Sequence, residues 1–244
     1  MIIPKPSDAK HKTQMYRLLR EILQNSILAN KLVFKGGTYA ALRGVLDRFS
    51  VDLDFDLPNS SNIPELRIIC HDIFKNLNLE VKDESKNHLQ FFLKYEASEF
   101  ERNTLKLEIN DQVSKANKYE KYFLPEIAMY CNAHTLDTMF ACKLIAAKAR
   151  FDKNGKIAGR DFYDLHKFFN DGLSINKEVV EDLSNLTYKN YLISLAQFIE
   201  KEVSSKLLLE DLNPLLDTKK PKHYLKGLKK ELLLMISDEI KRLD

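Results

Sequence analysis

The stretch that decides the fold is KGGTYAALRGVLDRFSVDLDFD, residues 35–56. It opens on Lys35 and the pair Gly36 and Gly37, after the short apolar run of residues 32–34. Glycines let a backbone approach a phosphate closely, and the first N–H groups of a following helix attract an anion. The pair therefore predicts a phosphate-binding turn between a strand and a short helix, although a glycine pair by itself is more often an ordinary turn.

The second half of this stretch alternates apolar residues with aspartates from Val51 to Asp56. Successive side chains of a strand point to opposite faces, so Asp52, Asp54 and Asp56 share one face. Three like charges repel one another, and a divalent cation such as Mg2+, which selects hard oxygen ligands, would turn that repulsion into a site. Taken alone, the pattern also fits a solvated edge strand kept charged to prevent pairing. The glycine pair and the acidic strand in this order favour a nucleotide site.

Composition sets the outer limits of this interpretation. The chain has 244 residues, of which 44% are hydrophobic, so it is long enough to bury a sizeable core. Its 38 basic and 35 acidic residues leave a net charge of +3. No strong overall field follows from that balance, and nucleic-acid binding would require a local patch.

The cysteines and the apolar runs predict the compartment. Cys70, Cys131 and Cys142 are widely spaced and contain no CxxC pair, which argues against a disulfide framework and against structural zinc. The N-terminus lacks the apolar core of a signal peptide, and no run of about 18 apolar residues occurs. We therefore expect a soluble cytoplasmic protein that does not bind a membrane.

Hydrophobic periodicity predicts an α+β fold in two domains. Residues 1–132 read as an α/β domain with a mixed sheet, and residues 133–244 as a helical domain that completes the active-site cleft. The predicted strands are residues 32–34, 51–57, 79–81, 89–95 and 104–109, with extended structure near 123–129. The predicted helices are residues 10–28, 38–46, 64–77, 135–150, 160–169, 177–186, 188–203 and 222–243.

A later strand offers a further carboxylate. In the sequence LKLEI, residues 105–109, alternation places Lys106 and Glu108 together on the polar face. A neighbouring strand is where a third carboxylate can reach Asp52 and Asp54, so Glu108 is the candidate third metal ligand. An ordinary solvated strand face is the alternative.

Two positions in the helical half also carry chemistry. Lys143 falls within the apolar stripe of the predicted helix 135–150, where an ammonium must either reach water or meet an anion such as a phosphate. Asp161 lies in GRDFYDL, residues 159–165, at the start of the next predicted helix. Helix capping by Asp161 and a favourable first-turn position for Asp164 would explain both acids without catalysis.

These segments together resemble the AbiEii-type nucleotidyltransferase toxins of abortive-infection and toxin–antitoxin systems, within the DNA-polymerase-β-like superfamily. The resemblance runs from about Lys35 to Phe169. The superfamily pattern of a glycine pair, an acid-x-acid strand and a later acid is matched by Gly36 and Gly37, by Asp52 with Asp54, and by Glu108. The toxin motifs are matched by the remaining segments, RFS at 48–50, KL at 143–144 and RDFYDL at 160–165.

The resemblance implies a Mg2+-dependent enzyme that transfers a nucleotide from an NTP to an acceptor such as the tRNA 3′ end, and that has a cognate antitoxin partner. Asp52, Asp54 and Glu108 would be the metal ligands, with Glu108 or Asp161 helping to activate the acceptor hydroxyl. Lys143 would be catalytic as well. The residues expected to contact the nucleotide are Lys35, Gly36, Gly37, Thr38, Arg48, Ser50 and Lys143.

Other interpretations stay open at this point. The same site would serve a nucleotide-binding or phosphotransferase module that modifies a protein partner. A basic run that includes Lys219, Lys220 and Lys222 would provide phosphate contacts to RNA, or would simply be a solvated helix face. Asp56 is left without a partner and is expected to be expendable.

Overall fold

The computed structural model describes residues 1–3, 5–59, 62–99, 101–217 and 223–243. The chain divides into two compact units. Unit 1 comprises Met1–Val113 and Tyr119–His134, and unit 2 comprises Ser114–Lys118 and Thr135–Asp244. The segment Ser114–Lys118 thus joins unit 2 although it precedes two strands of unit 1. The domain boundary after residue 132 stays a prediction.

Unit 1 is built on a mixed sheet that has seven strands within the described ranges, in the order β3-β4-β5-β2-β1-β7-β6. Strands β1–β2, β3–β4, β4–β5 and β6–β7 pair antiparallel, whereas β2–β5 and β1–β7 pair parallel. The strands are β1 Val33–Lys35, β2 Asp52–Asp56, β3 Glu80–Glu84, β4 Leu89–Lys94, β5 Thr104–Asn110, β6 Tyr119–Leu124 and β7 Met129–His134.

One face of this sheet is apolar and packs against helices. Phe34 and Phe55 stack on that face with ring centroids 5.0 Å apart, and both are fully buried. Tyr39 of helix α3 (Gly36–Leu42) contacts Phe34, and Phe74 of helix α4 (Ile63–Asn76) contacts Phe91 of β4. The helices of unit 1 are α1 Asp8–Gln24, α2 Ser26–Lys31, α3 Gly36–Leu42 and α4 Ile63–Asn76. The predicted α+β class is confirmed.

Strand β2 lies at the centre of the sheet, between β5 and β1. The interpretation of its aspartates as protection of a solvated edge is therefore wrong. Because Leu53 and Phe55 are fully buried on its other side, the register of β2 is fixed by burial. A slip of one residue would bury the aspartates and expose the apolar side chains.

The first helix is shorter than predicted. Residues 10–28 were expected to form one helix, but α1 ends at Gln24 and α2 begins at Ser26. Asn25 adopts an extended conformation, and its side chain accepts hydrogen bonds from the backbone N–H groups of Ile27 and Leu28. This capping starts a second helix and leaves Ile27 38% exposed.

The extended structure predicted near residues 123–129 is a hairpin instead. Strand β6 ends at Leu124 and β7 begins at Met129. The N–H of Ile127 donates to the carbonyl of Leu124, and Ala128 takes a left-handed conformation with φ of 53°. Pro125 cannot donate to a ladder, which explains why the chain turns here.

Unit 2 is helical. Its helices are α5 Leu136–Asn154, α6 Gly159–Asn170, α7 Lys177–Ser184, α8 Tyr188–Glu202, α9 Ser205–Leu212 and α10 Leu228–Lys241. Helix α9 was not predicted. The helix predicted over 222–243 is confirmed only from Leu228, because residues His223–Lys226 form a 3-10 turn. Within the described ranges, no helix has both the length and the apolar character needed to span a bilayer. All three cysteines are free thiols.

Candidate active site

Five polar residues meet on the face of the sheet opposite Phe34 and Phe55. Asp54 of β2 is the middle of this group, since it pairs in register with Lys35 of β1 on one side and with Glu108 of β5 on the other. Asp52 pairs with Lys106 in the same ladder. The three carboxylates predicted to act together therefore lie on adjacent positions of one sheet face. Lys35 lies beside Asp54 on that face, and Lys106 lies beside Asp52.

The first glycine of the pair makes room for Asp54. Gly36 has a φ of 77°, and a Cβ placed on it would lie 2.9 Å from Asp54 Cβ and would collide with the Asp54 carboxylate. Any side chain at this position would therefore displace the carboxylate, in addition to the strain of the left-handed backbone. Gly36 is required here by a carboxylate of the same chain.

The second glycine makes room for Arg48 and Ser50. A Cβ on Gly37 would lie 2.8 Å from Arg48 Nη2 and 2.9 Å from Ser50 Oγ. Arg48 is only 2% exposed, and its Nη1 donates to the carbonyl of Phe49 at 3.0 Å. The segment before β2 is thus held against the start of α3 by a buried guanidinium. Contact of Arg48 and Ser50 with a nucleotide stays a prediction.

Thr38 is fully buried, and its hydroxyl donates to the backbone carbonyl of Asp52. The same hydroxyl lies 3.8 Å from Met15 Sδ. The side chain therefore joins α3 to the strand that carries the aspartates. This arrangement leaves the backbone of Thr38, rather than its side chain, as the group that would meet a phosphate.

The carboxylates influence one another electrostatically. Burial raises the pKa of Asp54 to about 6, and the negative charge of neighbouring Asp52 adds to that effect. Lys35 opposes it, and Glu108 reinforces it. Burial and the neighbouring negative charges disfavour the ionised form of Asp54, and a bound cation would stabilise that form.

Glu108 is held by Lys106, with which it forms an ion pair. Burial acts to raise the pKa of Glu108, but the hydrogen bond and positive charge of Lys106, with smaller effects of Gln90 and Lys35, outweigh burial, so the pKa lies below its ordinary value. Glu108 is therefore ionised at neutral pH. Alternation in the sequence placed both side chains on one face, and the structure shows them in contact.

Asp56 differs from the other two aspartates because it is 1% exposed and has buried partners. His134 Nε2 donates to Asp56 Oδ2 at 2.7 Å, and Lys35 forms an ion pair with Oδ1. Burial acts to raise the pKa of Asp56, but His134 and Lys35 outweigh burial and lower it. The inference that Asp56 lacks a partner is wrong. Asp56 thus links β2 to β1 through Lys35 and to β7 through His134.

Among the described residues, no three side chains of Asp, Glu, His or Cys are grouped closely enough to hold a metal ion. Asp52, Asp54 and Glu108 as a set of metal ligands therefore stays a prediction, and Glu108 forms its ion pair with Lys106. Asp52 and Asp54 remain as a carboxylate pair.

In unit 2, Lys143 meets carboxylates of the chain itself. Its Nζ lies 3.1 Å from Asp161 Oδ1 and 3.0 Å from Asp164 Oδ2. The lysine side chain is 14% exposed, while those of Asp161 and Asp164 are 4% and 0% exposed. Of the two outcomes considered from sequence, Lys143 therefore meets anions rather than reaching water. Helix α5 and helix α6 are joined through this buried ionic cluster.

Capping does not explain Asp161. The residue preceding α6 is Ala158, which makes no side-chain cap. Burial acts to raise the pKa of Asp161, but the charge and hydrogen bond of Lys143 together with the charges of Arg150 and Arg160 outweigh burial and lower it. Arg150, whose Nε lies 3.7 Å from Asp161 Oδ2, has a side chain that is 42% exposed. Lys219, Lys220 and Lys222 lie outside the described residues.

Comparison with known proteins gives the family of the chain. A family model described as nucleotidyl transferase AbiEii toxin, type IV TA system, matches residues 17–237. The chain belongs to this family. It is therefore a nucleotidyltransferase toxin of the type IV toxin–antitoxin class, for which an NTP substrate and an antitoxin partner are implied. No curated protein matches the chain significantly.

Solved structures show that the AbiEii chain shares its fold with nucleotidyltransferases. JHP933 from Helicobacter pylori is 20% identical with a TM-score of 0.59, covering 99% of this chain and 95% of that one. A putative nucleotidyltransferase from H. pylori is 21% identical with a TM-score of 0.59, covering 98% and 99%. The nucleotidyltransferase toxin MenT4 from Mycobacterium tuberculosis is 18% identical with a TM-score of 0.56, covering 97% and 87%. At these identities the likeness establishes the fold.

Substituting Gly36 by alanine should cost more stability than the same change at Gly44. Both glycines have positive φ, but a Cβ added at Gly44 would meet no described atom within 4 Å, whereas one added at Gly36 would meet Asp54. We expect a loss of about 1 kcal/mol for Gly44→Ala from backbone strain and at least twice that for Gly36→Ala. Urea unfolding measures both values, and equal losses would contradict the role assigned to Gly36.

Removing the cation of the unit 2 cluster should be strongly destabilising. Lys143→Met leaves Asp161 and Asp164 buried without their common partner, so we expect a loss of roughly 3–5 kcal/mol. Lys148→Met is the matched control, because Lys148 pairs with Asp152 on the exposed side of the same helix and should cost about 0.5 kcal/mol or less. Thermal and urea unfolding of both variants test this, and a small loss for Lys143→Met would refute it.

Proposed function

We propose that this chain transfers a nucleoside monophosphate from an NTP to the 3′ end of tRNA, with Mg2+ as cofactor, and thereby inhibits translation and growth. The observation that carries the proposal is the pair Asp52 and Asp54, fixed on the central strand beside the glycine pair of a nucleotidyltransferase family fold. NTPs and tRNA are cytoplasmic, so we place the protein there, and an antitoxin would bind it to restrain the activity.

The donor set supports a magnesium site. Mg2+ in proteins is bound through one or two carboxylates together with substrate phosphates, so it does not need a third protein ligand. Asp52 and Asp54 supply two hard oxygen donors on one strand face, and the pKa of Asp54, raised by burial and by Asp52, marks a carboxylate that a cation would stabilise. We propose that these two residues hold Mg2+, which when bound neutralises triphosphate charge at the reacting phosphorus.

Glu108 is proposed to accept the proton of the attacking hydroxyl. Its pKa is held low by Lys106, so the carboxylate is available at neutral pH, and it lies in register beside Asp54. The hydroxyl oxygen forms a bond to the α-phosphorus as the bond to pyrophosphate breaks, and the hydroxyl proton passes to Glu108. Lys106 keeps the carboxylate oriented before the transfer.

The remaining predicted contacts place the nucleotide around this pair. The backbone of Gly36 to Thr38 would receive the outer phosphates, and Lys35 would contribute positive charge next to Asp54. Arg48 and Ser50 would act mainly by holding the segment before β2 against the start of α3. Roles for Lys143 and Asp161 in phosphate binding and catalysis stay predictions from sequence, since each already has a buried charged partner in unit 2.

Loss of the Asp52 carboxylate should abolish nucleotide transfer. In an assay with labelled NTPs and purified tRNA, we expect the unaltered protein to transfer label to the tRNA. The control variant Asp72→Ala, on the exposed side of α4, should transfer label at the same rate. Asp52→Ala should lower the rate by about 100-fold or more, because a metal contributes several kcal/mol to such a transition state. Testing all four NTPs separately identifies the preferred one.

Equal labelling of tRNA by Asp52→Ala would contradict the proposal. Mass spectrometry of the product distinguishes an added nucleoside monophosphate from an added phosphate. A phosphate on a protein partner would establish the alternative phosphotransferase function instead.

Replacing Glu108 by glutamine separates its proposed role from that of a metal ligand. A proton acceptor contributes about 100- to 10000-fold to rate, so kcat should fall by that order while the Mg2+ concentration for half-maximal activity stays unchanged. Glu80→Gln, on the exposed strand β3, serves as control. A rise in the required Mg2+ concentration would show instead that Glu108 is a ligand.

A further inference from the structure

The hairpin of β6 and β7 continues the sheet face that carries the aspartates. Phe34 pairs with Ala133 of β7, which places Ala133 on the apolar face with Phe34. The alternate residues of β7, Asn132 and Tyr130, consequently lie on the opposite face, which is the face of Asp54. His134 lies there too, as its hydrogen bond to Asp56 shows.

Strand β6 extends this face to the edge of the sheet. Tyr119 pairs with His134, Lys121 with Asn132 and Phe123 with Tyr130, so all six side chains share the face. Adjacent strands lie about 4.8 Å apart, and β6 is three strand positions from β2 in the order β2-β1-β7-β6. The edge strand is therefore about 14 Å from the strand of Asp52 and Asp54.

Three aromatic side chains on this face are exposed, and we call them the aromatic strip. Tyr119 is 37% exposed, Phe123 43% and Tyr130 69%. The rings of Phe123 and Tyr130 lie 5.0 Å apart, and that of Tyr119 lies 5.7 Å from the ring of His134. Large exposed aromatic surfaces grouped on one sheet face are characteristic of sites where bases stack.

A cavity beside the aromatic strip carries positive charge and amide groups. It has a volume of about 480 Å³, and its lining includes Lys31, Asn59, Tyr119, Lys121 and Asn132. The acidic residue of the lining, Glu120, forms an ion pair with Arg43. The positive charges of Lys31 and Lys121 are thus complementary to phosphate.

We propose that the aromatic strip and this cavity bind an unpaired RNA strand, whose bases stack on Tyr130, Phe123 and Tyr119 and whose phosphates contact Lys121 and Lys31. The proposal rests on the proposed function, because the strand is the single-stranded end of the RNA acceptor. It adds the path of that end, which runs across β6, β7 and β1 to the aspartates of β2. Base stacking is tolerant of sequence, since every base has a flat face.

A single strand suits this surface better than a duplex. The base faces of a duplex are covered by their neighbours, whereas an unpaired strand exposes them to aromatic side chains. Lys121 lies between Tyr119 and Phe123 along β6. When two successive bases stack on these aromatic side chains, the phosphate that joins the bases lies near Lys121.

The test is fluorescence anisotropy of the full chain with a labelled single-stranded RNA and with an RNA duplex, both without NTP. Tyr130→Ala and Phe123→Ala should each weaken single-strand binding by about five-fold or more, whereas Tyr130→Phe should retain it. Lys121→Gln should reduce the slope of log Kd against log salt by about 0.7. The Kd for the RNA duplex should change by less than about two-fold in Tyr130→Ala and Phe123→Ala, because a duplex offers no free base faces to the aromatic strip.

The controls lie on α4, which packs against the other face of the sheet. Ile68→Ala removes an apolar side chain that is 64% exposed, and Lys75→Gln removes an exposed lysine. Neither should alter single-strand binding. Unchanged Kd values for Tyr130→Ala and Phe123→Ala, or equal losses in the α4 variants, would overturn the proposal.

A parallel assay of nucleotide transfer separates this inference from the proposed function. Transfer by the unaltered chain with no effect of Tyr130→Ala on RNA binding would reject the aromatic strip alone. Single-strand binding that depends on Tyr130 and Phe123, without transfer of any nucleotide, would support the strip and reject the proposed function. Asp52→Ala should bind the RNA strand normally, which keeps the two measurements independent.

Discussion

The carboxylate of Asp54 lies against a backbone position that has no side chain, and this contact governs the site. It can exist only because Gly36 occupies the turn and because β2 is held in one register by Leu53 and Phe55 on the opposite face. Burial of large apolar side chains contributes roughly 1.5–3 kcal/mol each, enough to oppose the repulsion between neighbouring aspartates. The hydrophobic core thus fixes the positions of charges that it never touches.

Local periodicity predicted this part of the molecule well. Alternation along a strand is a property of the backbone, so Asp52 and Asp54 could be placed on one face without knowledge of the sheet, as could Lys106 and Glu108. The glycine pair marked the turn for a related reason, since few residues accept a left-handed conformation. The family resemblance read from the same motifs is confirmed over residues 17–237.

Contacts between distant segments were beyond sequence reasoning. The pairing of β1 with β7 brings His134 to Asp56 across 78 residues of sequence, and no local pattern reports such a pairing. For the same reason the sequence predicts only a first-turn position for Asp164, although this residue forms an ion pair with Lys143, as Asp161 does. Capping by Asn25 divided a helix whose apolar spacing alone looked continuous, because a single side-chain hydrogen-bonding pattern outweighed periodicity there.

Because of the segment Ser114–Lys118, no single chain break would divide the protein into its two units. Ser114 donates to Asp182, Asn176 donates to the carbonyl of Ala116, and Lys118 donates to Thr138, all within unit 2. The chain passes from one unit to the other after residues 113, 118 and 134. During synthesis this segment emerges before every helix that it contacts, so unit 2 can be completed only after the sheet strands of unit 1 have been made.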